Sequence, residues 1–237
     1  MRVGVYRIST GCSSIDGLLG GGITSGSITL IYGEAETGKT SLAIQCAVNS
    51  AKIGYKTIFV DSDGGFTPER LYQIARGFSE EASALIIIMR PKDFREQAEI
   101  IDNLDRCVTE RLGLVVIDTV TSLYRSALGI SESLFALNRE LNRQVATLAE
   151  LSKAYGMPIL LTSQVRESFT DERVEIEPVA TRVLRFWSDV VIGLNRTDRR
   201  GVVSARVEKP SVDGEARTFL LALGGFGIRD YESQNDL

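Results

Sequence analysis

The chain has 237 residues, of which 43% are apolar and 24% are charged, and its net charge is −4. This length fits one large domain, and the composition excludes the disordered, collagen-like and coiled-coil classes. Because the chain has no histidine, every mechanism with a histidine base and every zinc site with a histidine ligand is excluded. The three cysteines are widely spaced and the first residues contain no apolar signal segment, so we expect a cytoplasmic protein without a membrane anchor.

The first two thirds of the chain alternate short apolar runs with helical segments. The predicted strands cover residues 27–32, 56–60, 85–89, 114–117 and 158–162. The predicted helices cover a segment up to residue 51, a segment that opens at Thr67 and Pro68, residues 93–111, and a long apolar stripe over residues 134–151. Strands that are apolar throughout are typical of a parallel sheet buried on both faces.

The pattern changes after Trp187, where residues 190–195, 202–207 and 218–223 are joined by short turns and alternate in polarity. Such segments predict antiparallel strands. The sequence therefore predicts an α/β fold with a mostly parallel central sheet and a C-terminal antiparallel extension.

An eight-residue motif, GEAETGKT, lies between the first predicted strand and the helix that follows it. It fits the pattern GxxxxGK[ST] and consists of Gly33, Glu34, Ala35, Glu36, Thr37, Gly38, Lys39 and Thr40. Backbone amides of such a loop and the N-terminus of the next helix bind phosphate groups. We expect Lys39 to contact the β- and γ-phosphates and Thr40 to bind Mg²⁺. The alternative is a solvated glycine turn.

Polar side chains follow three of the predicted parallel strands, at the edge where ligands bind in open α/β sheets. Asp118 ends the run LVVID and is the predicted metal-shell acid, although a helix N-cap would also explain it. Either Asp61 or Asp63 is a candidate catalytic base, with turn capping as the alternative. Gln164 follows the fifth strand, where an amide could contact the γ-phosphate, and it could equally be a polar strand end.

Several segments together resemble the RecA/RadA recombinase core, and they appear in that family's order. They are the lead-in from Ile8 to the glycine-rich motif (the P-loop, residues 33–40), VDSDGGFTPERL, IDTVTSLYR, TSQV, and EKPS with GEARTF. The resemblance covers residues 7 to about 223 and is greatest to short archaeal paralogues of RadA. It implies a RecA-like P-loop NTPase core formed by residues 1–237, without the N-terminal helical DNA-binding domain of longer recombinases.

The resemblance also implies roles for individual residues. Lys39, Thr40 and Ser41 match phosphate and metal contacts, and Asp118 matches the Walker B acid. Arg70 matches the arginine that stacks on adenine, Gln164 the γ-phosphate-sensing glutamine, and Arg125 the start of the first DNA-binding loop. The implied cofactors are ATP and Mg²⁺. The implied partners are single-stranded or branched DNA, the main RadA-type recombinase, other recombination proteins and further copies of the chain.

Three departures from the family pattern set this chain apart. The catalytic glutamate of the family is replaced by Asp63, whose shorter side chain predicts slow hydrolysis because a base must reach its proton. The linker whose Phe-containing motif adds a strand to a neighbouring subunit is expected to be absent. The second DNA-binding loop, residues 166–178, is acidic, with a net charge of −4 from Glu167 to Glu177.

Positive charge is concentrated from Arg182 to Lys209 instead, with a net charge of +4. Arg196, Arg199 and Arg200 fall on one predicted turn, which we expect to contact DNA at a distance from the P-loop. A solvated turn or a docking site for a protein is the alternative.

These features predict an ATP- and DNA-binding paralogue that assists the main recombinase in DNA repair and homologous recombination, with weak DNA-dependent ATP hydrolysis at most. One alternative is an active strand-exchange recombinase. A second alternative is a KaiC-like kinase or phospho-switch with a RecA fold, but that group has two adjacent glutamates after the second strand, whereas Gly64 and Gly65 follow Asp63 here.

Overall fold

The computed structural model describes residues 4–128, 133–170, 173–178, 180–212 and 215–232. The strands in these residues are β1 (Arg7–Ile8), β2 (Ile23–Thr24), β3 (Ile28–Gly33), β4 (Lys56–Asp61), β5 (Ile86–Met89), β6 (Leu112–Asp118), β7 (Ile159–Ser163), β8 (Val165–Thr170), β9 (Arg173–Pro178), β10 (Val190–Arg196), β11 (Val202–Val212), β12 (Glu215–Gly224) and β13 (Gly227–Asp230). The helices are α1 (Ser13–Leu18), α2 (Lys39–Lys52), α3 (Pro68–Ala75), α4 (Ser79–Leu85), α5 (Phe94–Asp102), α6 (Ser122–Leu128), α7 (Leu134–Tyr155) and α8 (Thr181–Trp187).

Nine of the strands form one sheet in the order β13-β12-β11-β10-β3-β7-β6-β4-β5. The pairs from β10 to β5 are parallel, and β10 through β13 are joined by antiparallel pairs. This confirms the predicted α/β class. One detail differs from the prediction, because β10 is not wholly part of the antiparallel extension. It pairs in parallel with β3 on one side and antiparallel with β11 on the other, so it joins the two halves of the sheet.

The central parallel strands are mostly apolar because helices cover both faces of the sheet there. Every residue of β3, β6 and β7 is buried. Along β3, Ile31 packs into the core on the side of α2, whereas Leu30 and Tyr32 pack on the side of α7, as the period of two in a strand requires. Each large apolar side chain buried in this way contributes about 1.5–3 kcal/mol to stability.

The long helix α7 is confirmed, and its stripe of Leu137, Leu141, Val145 and Leu148 is buried. The predicted helix over residues 93–111 is too long. It ends at Asp102 as α5, and a short 3₁₀ turn, Leu104–Cys107, follows it. Asn103 explains the break, because its side-chain amide donates to the Glu99 carbonyl at 2.7 Å and so competes with continuation of the helix.

The segment predicted as an acidic loop contains an antiparallel hairpin of β8 and β9. Two of its acids, Asp171 and Glu172, lie outside the described residues. Within the described part of the chain, no helix has both the length and the apolar character needed to cross a membrane.

The parallel topology brings four strand ends to one edge of the sheet. Gly33, Asp61, Asp118 and Ser163 are the last residues of β3, β4, β6 and β7. The ends of these strands and the loops that follow them therefore form the walls of one site.

Candidate nucleotide site

The glycine-rich loop joins β3 to α2 and packs so tightly that two of its glycines are sterically required. A Cβ atom on Gly33 would lie 2.3 Å from the Leu194 carbonyl oxygen. Gly38, with a φ of +91°, has a left-handed backbone, and a Cβ there would lie 2.5 Å from Leu223 Cδ2. The strand, loop and helix that the motif requires are therefore all present.

Lys39 is held inside this loop with only 8% of its surface exposed. Its ammonium group donates to the carbonyls of Gly33 at 2.9 Å and Glu34 at 2.6 Å. Burial lowers the pKa of Lys39, while the carboxylates of Asp118 and Asp63 act in the opposite direction. Two carbonyl partners replace only part of the hydration that the Lys39 ammonium group loses on burial. The site therefore favours the binding of an anion.

The entrance of the loop forms a cavity of about 340 Å³. It is lined by Glu36, Gly38, Lys39, Thr40, Ser41, Arg70 and Leu223. The guanidinium of Arg70 donates to Ser41 Oγ at 2.8 Å and to the Gly225 carbonyl at 3.0 Å. Arg70, predicted to contact the base, therefore lies beside the P-loop residues at the mouth of the cavity.

Asp118 is completely buried at the end of β6 and is only partly satisfied by hydrogen bonds. Thr162 donates to its Oδ1, whereas its Oδ2 has no hydrogen-bond partner among the described residues. Burial raises the pKa of Asp118 to about 6, although the Thr162 and Thr40 hydroxyls oppose this shift. A buried carboxylate oxygen without a partner, close to the Thr40 hydroxyl, is a donor set that fits a hard divalent cation such as Mg²⁺.

The two candidate bases after β4 have different surroundings. Asp61 is buried, accepts from the backbone amides of Gly65 and Phe66, and forms a salt bridge to Arg90 at 3.1 Å. It therefore has the turn-capping role. Asp63 is exposed, and its Oδ2 accepts from the Gln164 amide at 3.3 Å and from Thr119 Oγ1 at 3.4 Å. Of the two acids, Asp63 is the one placed beside Gln164.

Gln164 also connects to Arg125 on α6. The Arg125 guanidinium donates to Gln164 Oε1, while the amide nitrogen of Gln164 donates to Asp63. The structure thus brings together Asp63, Gln164 and Arg125, which lie far apart in the sequence.

The expected position of Arg196, away from the P-loop, is wrong. Its guanidinium donates to the Ala35 carbonyl at 2.9 Å and lies 3.4 Å from a carboxylate oxygen of Glu36. The reason is that β10 is the parallel neighbour of β3, so the end of β10 lies directly beside the loop that leaves β3. Arg199 and Arg200 are exposed on the turn, and Arg199 contacts the Tyr231 ring.

Sequence reasoning did not find Thr162, which donates a hydrogen bond to Asp118, or Thr119, which donates one to Asp63. Thr162 ends an apolar run and Thr119 follows the Walker B acid, but threonine is too common at strand ends to be a signal by itself. The contact of Arg196 with the loop has no sequence signal, since it depends on the order of strands.

Comparison with known proteins agrees with this geometry. The Rad51 family model matches residues 1–230. The chain is 35% identical to the "DNA repair and recombination protein RadB" of Thermococcus kodakarensis over 95% of this chain and 100% of that protein. It is 32% identical to the protein of the same name from Methanobrevibacter smithii, over 93% of this chain and 95% of that one. A solved structure described as the RadB recombinase superposes with a TM-score of 0.80 at 33% identity, covering 95% of this chain and all of that one. The chain therefore belongs to the Rad51 family, and its RecA-like fold is that of RadB.

Proposed function

We propose that this protein binds Mg²⁺·ATP and DNA and assists the main RadA-type recombinase in homologous recombination, with slow ATP hydrolysis. The observation that carries the proposal is the pairing of a complete phosphate-binding loop with a shortened catalytic acid. Lys39, Thr40 and Asp118 would supply the binding machinery, while Asp63 stands at the position for which the resemblance to the recombinase core implies a catalytic glutamate. The relatives named above are recombination and repair proteins, which agrees with this role.

The residues at the site divide the work of binding. The ammonium of Lys39 would exchange its two carbonyl partners for phosphate oxygens, and the amides at the start of α2 would bind the same phosphates. Thr40 Oγ1 and Asp118 Oδ2 would hold the Mg²⁺, which when bound neutralises phosphate charge. Arg70, already at the mouth of the cavity, would contact the base.

The position of Asp63 supports the proposal of slow hydrolysis. The Gln164 amide and the Thr119 hydroxyl hold its carboxylate at the edge of the site. A base must lie within about 2.6–3.2 Å of the proton it removes, and aspartate is one methylene shorter than glutamate. We therefore propose that Asp63 takes the proton of the attacking water inefficiently, and that Gln164 orients both.

A protein partner is supported by the edge of the sheet. In the described residues β5 pairs only with β4, and its Ile87 and Ile88 side chains are 44% and 41% exposed. Such an edge can accept a strand from another chain. We propose that the recombinase linker, which adds a strand to a neighbouring subunit, docks at β5.

The test is ATP turnover measured with and without single-stranded DNA, with Lys39→Ala as the blank. An accessory factor of the proposed kind gives ATP turnover that stays slow even when DNA is present. Strong stimulation by DNA together with filaments would favour an active strand-exchange recombinase instead. Transfer of phosphate to protein would favour the KaiC-like alternative.

A further inference from the structure

A second cavity lies behind the nucleotide site, between α2, the end of α3 and the turn that joins β12 to β13. Its volume is about 610 Å³. The Gln45 amide forms its floor, donating to the carbonyls of Thr10 at 2.7 Å and Ile228 at 2.9 Å and accepting from the Ile228 amide at 2.9 Å. Because these bonds use both N–H donors and the carbonyl oxygen of the amide, they fix the floor in place. We call this cavity the basic groove.

The described charged residues that line the basic groove are all cations. They are Lys52, Arg76 and Arg229, and no acid is among the lining residues that the structure describes, although the whole chain has a net charge of −4. The acid next to Arg229, Asp230, accepts hydrogen bonds from the backbone amides of Ser13 and Ser14. It is therefore occupied in capping α1. The groove is a local region of positive potential, which attracts anions.

An aromatic side chain stands at the rim of the basic groove. Phe226 lies in the glycine-rich turn between β12 and β13, and 63% of its surface is exposed. The Arg76 guanidinium lies 4.4 Å from the centre of its ring. An exposed ring held by a cation offers a flat surface on which a base can stack.

A cation of the β10–β11 turn lies against the segment that follows Arg229. Arg199 donates to the Tyr231 hydroxyl at 3.2 Å and lies over its ring. Tyr231 is two residues beyond Arg229 along an extended segment, so both side chains lie on the same side of it. Arg199 therefore reaches the side of this segment that also bears Arg229.

We propose that the basic groove binds a segment of single-stranded nucleic acid, with phosphates on Lys52, Arg76 and Arg229 and a base stacked on Phe226. Cations without acids match a phosphate backbone, and an aromatic platform beside them matches unpaired bases, which a duplex does not expose. The inference rests on the DNA-binding part of the proposed function and assigns it a surface. Because the Gly224 and Gly225 carbonyls of the same turn hold Arg70, the bound strand would lie next to the nucleotide site.

The test is fluorescence anisotropy with a labelled oligothymidine over a series of salt concentrations. We expect Phe226→Ala to weaken binding about fivefold or more, as the loss of one stacked base does. We expect the double variant Lys52→Gln with Arg229→Gln to reduce the slope of log K against log salt by about 1.4, since each phosphate contact in single strands contributes about 0.7.

Matched controls lie elsewhere on the surface. Phe186→Ala removes another exposed ring, and Lys92→Gln with Arg95→Gln removes two other exposed cations, so both should bind as the parent does. Lys39→Ala should lose ATP binding and keep DNA binding. Parent-like affinity and slope in both groove variants would overturn the groove alone, whereas a parent protein that binds no oligothymidine would overturn the DNA part of the proposed function as well. Equal competition by free dTMP, per nucleotide, would show a mononucleotide site and also contradict the proposal.

Discussion

The P-loop and the β10–β11 turn lie side by side but handle charge in opposite ways. Lys39 is 8% exposed, and its hydrogen-bond partners among the described residues are two backbone carbonyls, with the buried acid Asp118 nearby. The side chain of Arg196, on the neighbouring strand, is 55% exposed and pairs with an exposed glutamate, Glu36. The first arrangement is desolvated and strongly coupled, whereas the second is screened by water.

This difference indicates what each region can do. A desolvated charge gains the most interaction energy from one counter-charge at a specific position. The P-loop can therefore bind a phosphate chain that is held in a fixed position. Solvated arginines gain a little from each phosphate of a flexible strand, which suits contacts without sequence preference. The contact of Arg196 with the Ala35 carbonyl joins the two regions.

The largest expected effect concerns Asp118. The pKa of Asp118 is about 6 in the folded protein and 3.8 in the unfolded chain, so the folded state keeps the carboxyl proton up to a higher pH. Stability of the nucleotide-free protein should therefore fall as pH rises from about 4 to about 6, by about 3 kcal/mol from this group. The Asp118→Asn variant should not show this loss of stability with rising pH. Urea unfolding at several pH values in a chelating buffer measures it, and parallel pH profiles for both proteins would contradict the desolvated character of the site.

The next effect is on ATP binding. Lys39→Ala should weaken ATP binding at least tenfold, which corresponds to about 1.4 kcal/mol, because the loop contains no other cation. Calorimetry with ATP provides the measurement, and Lys52→Ala on the same helix is the control that should bind normally. Equal affinity in the Lys39 variant would remove the P-loop assignment.

The third prediction tests the join between the regions. Changing Arg196, Arg199 and Arg200 to Ala should weaken DNA binding and reduce the salt slope by up to about two units. Arg196→Ala alone should also alter ATP affinity, because it releases the Ala35 carbonyl and Glu36. The double variant of Arg199 and Arg200 should leave ATP affinity unchanged, and an ATP effect in that double variant would show that the whole turn belongs to the nucleotide site.

The smallest effect is on catalysis. Asp63→Glu should raise the hydrolysis rate about threefold without changing ATP affinity, because the longer side chain moves its carboxylate toward the attacking water. Single-turnover kinetics separate the two quantities, and Asp61→Glu is a control expected to lose stability instead. A flat rate would mean that another group is the base.

The sequence was sufficient to predict the parallel core and the loop, because apolar strands and a spaced glycine–lysine motif are local patterns. It left Asp61 and Asp63 open as alternatives, since both follow the same strand. The choice depends on Arg90, Gly65 and Gln164, which contact one acid or the other only after folding.

The neighbours of the P-loop could not be predicted. Arg196 reaches the loop because β10 is placed beside β3, a long-range arrangement that no local pattern encodes. The predicted end of α5 was wrong for a local reason. A single asparagine, Asn103, caps the helix although the helical sequence pattern continues beyond it.

The packing around Gly38 depends on residues that come much later in the chain. The space beside it is filled by Leu223 and Ile228, and the amide of Gln45 on α2 bonds to the backbone of Ile228, 183 residues later. During synthesis the phosphate-binding loop is therefore translated long before the strands that pack against it. A nascent chain cannot acquire its full nucleotide pocket until residue 228 has left the ribosome, so we expect ATP to favour finished chains over partial ones.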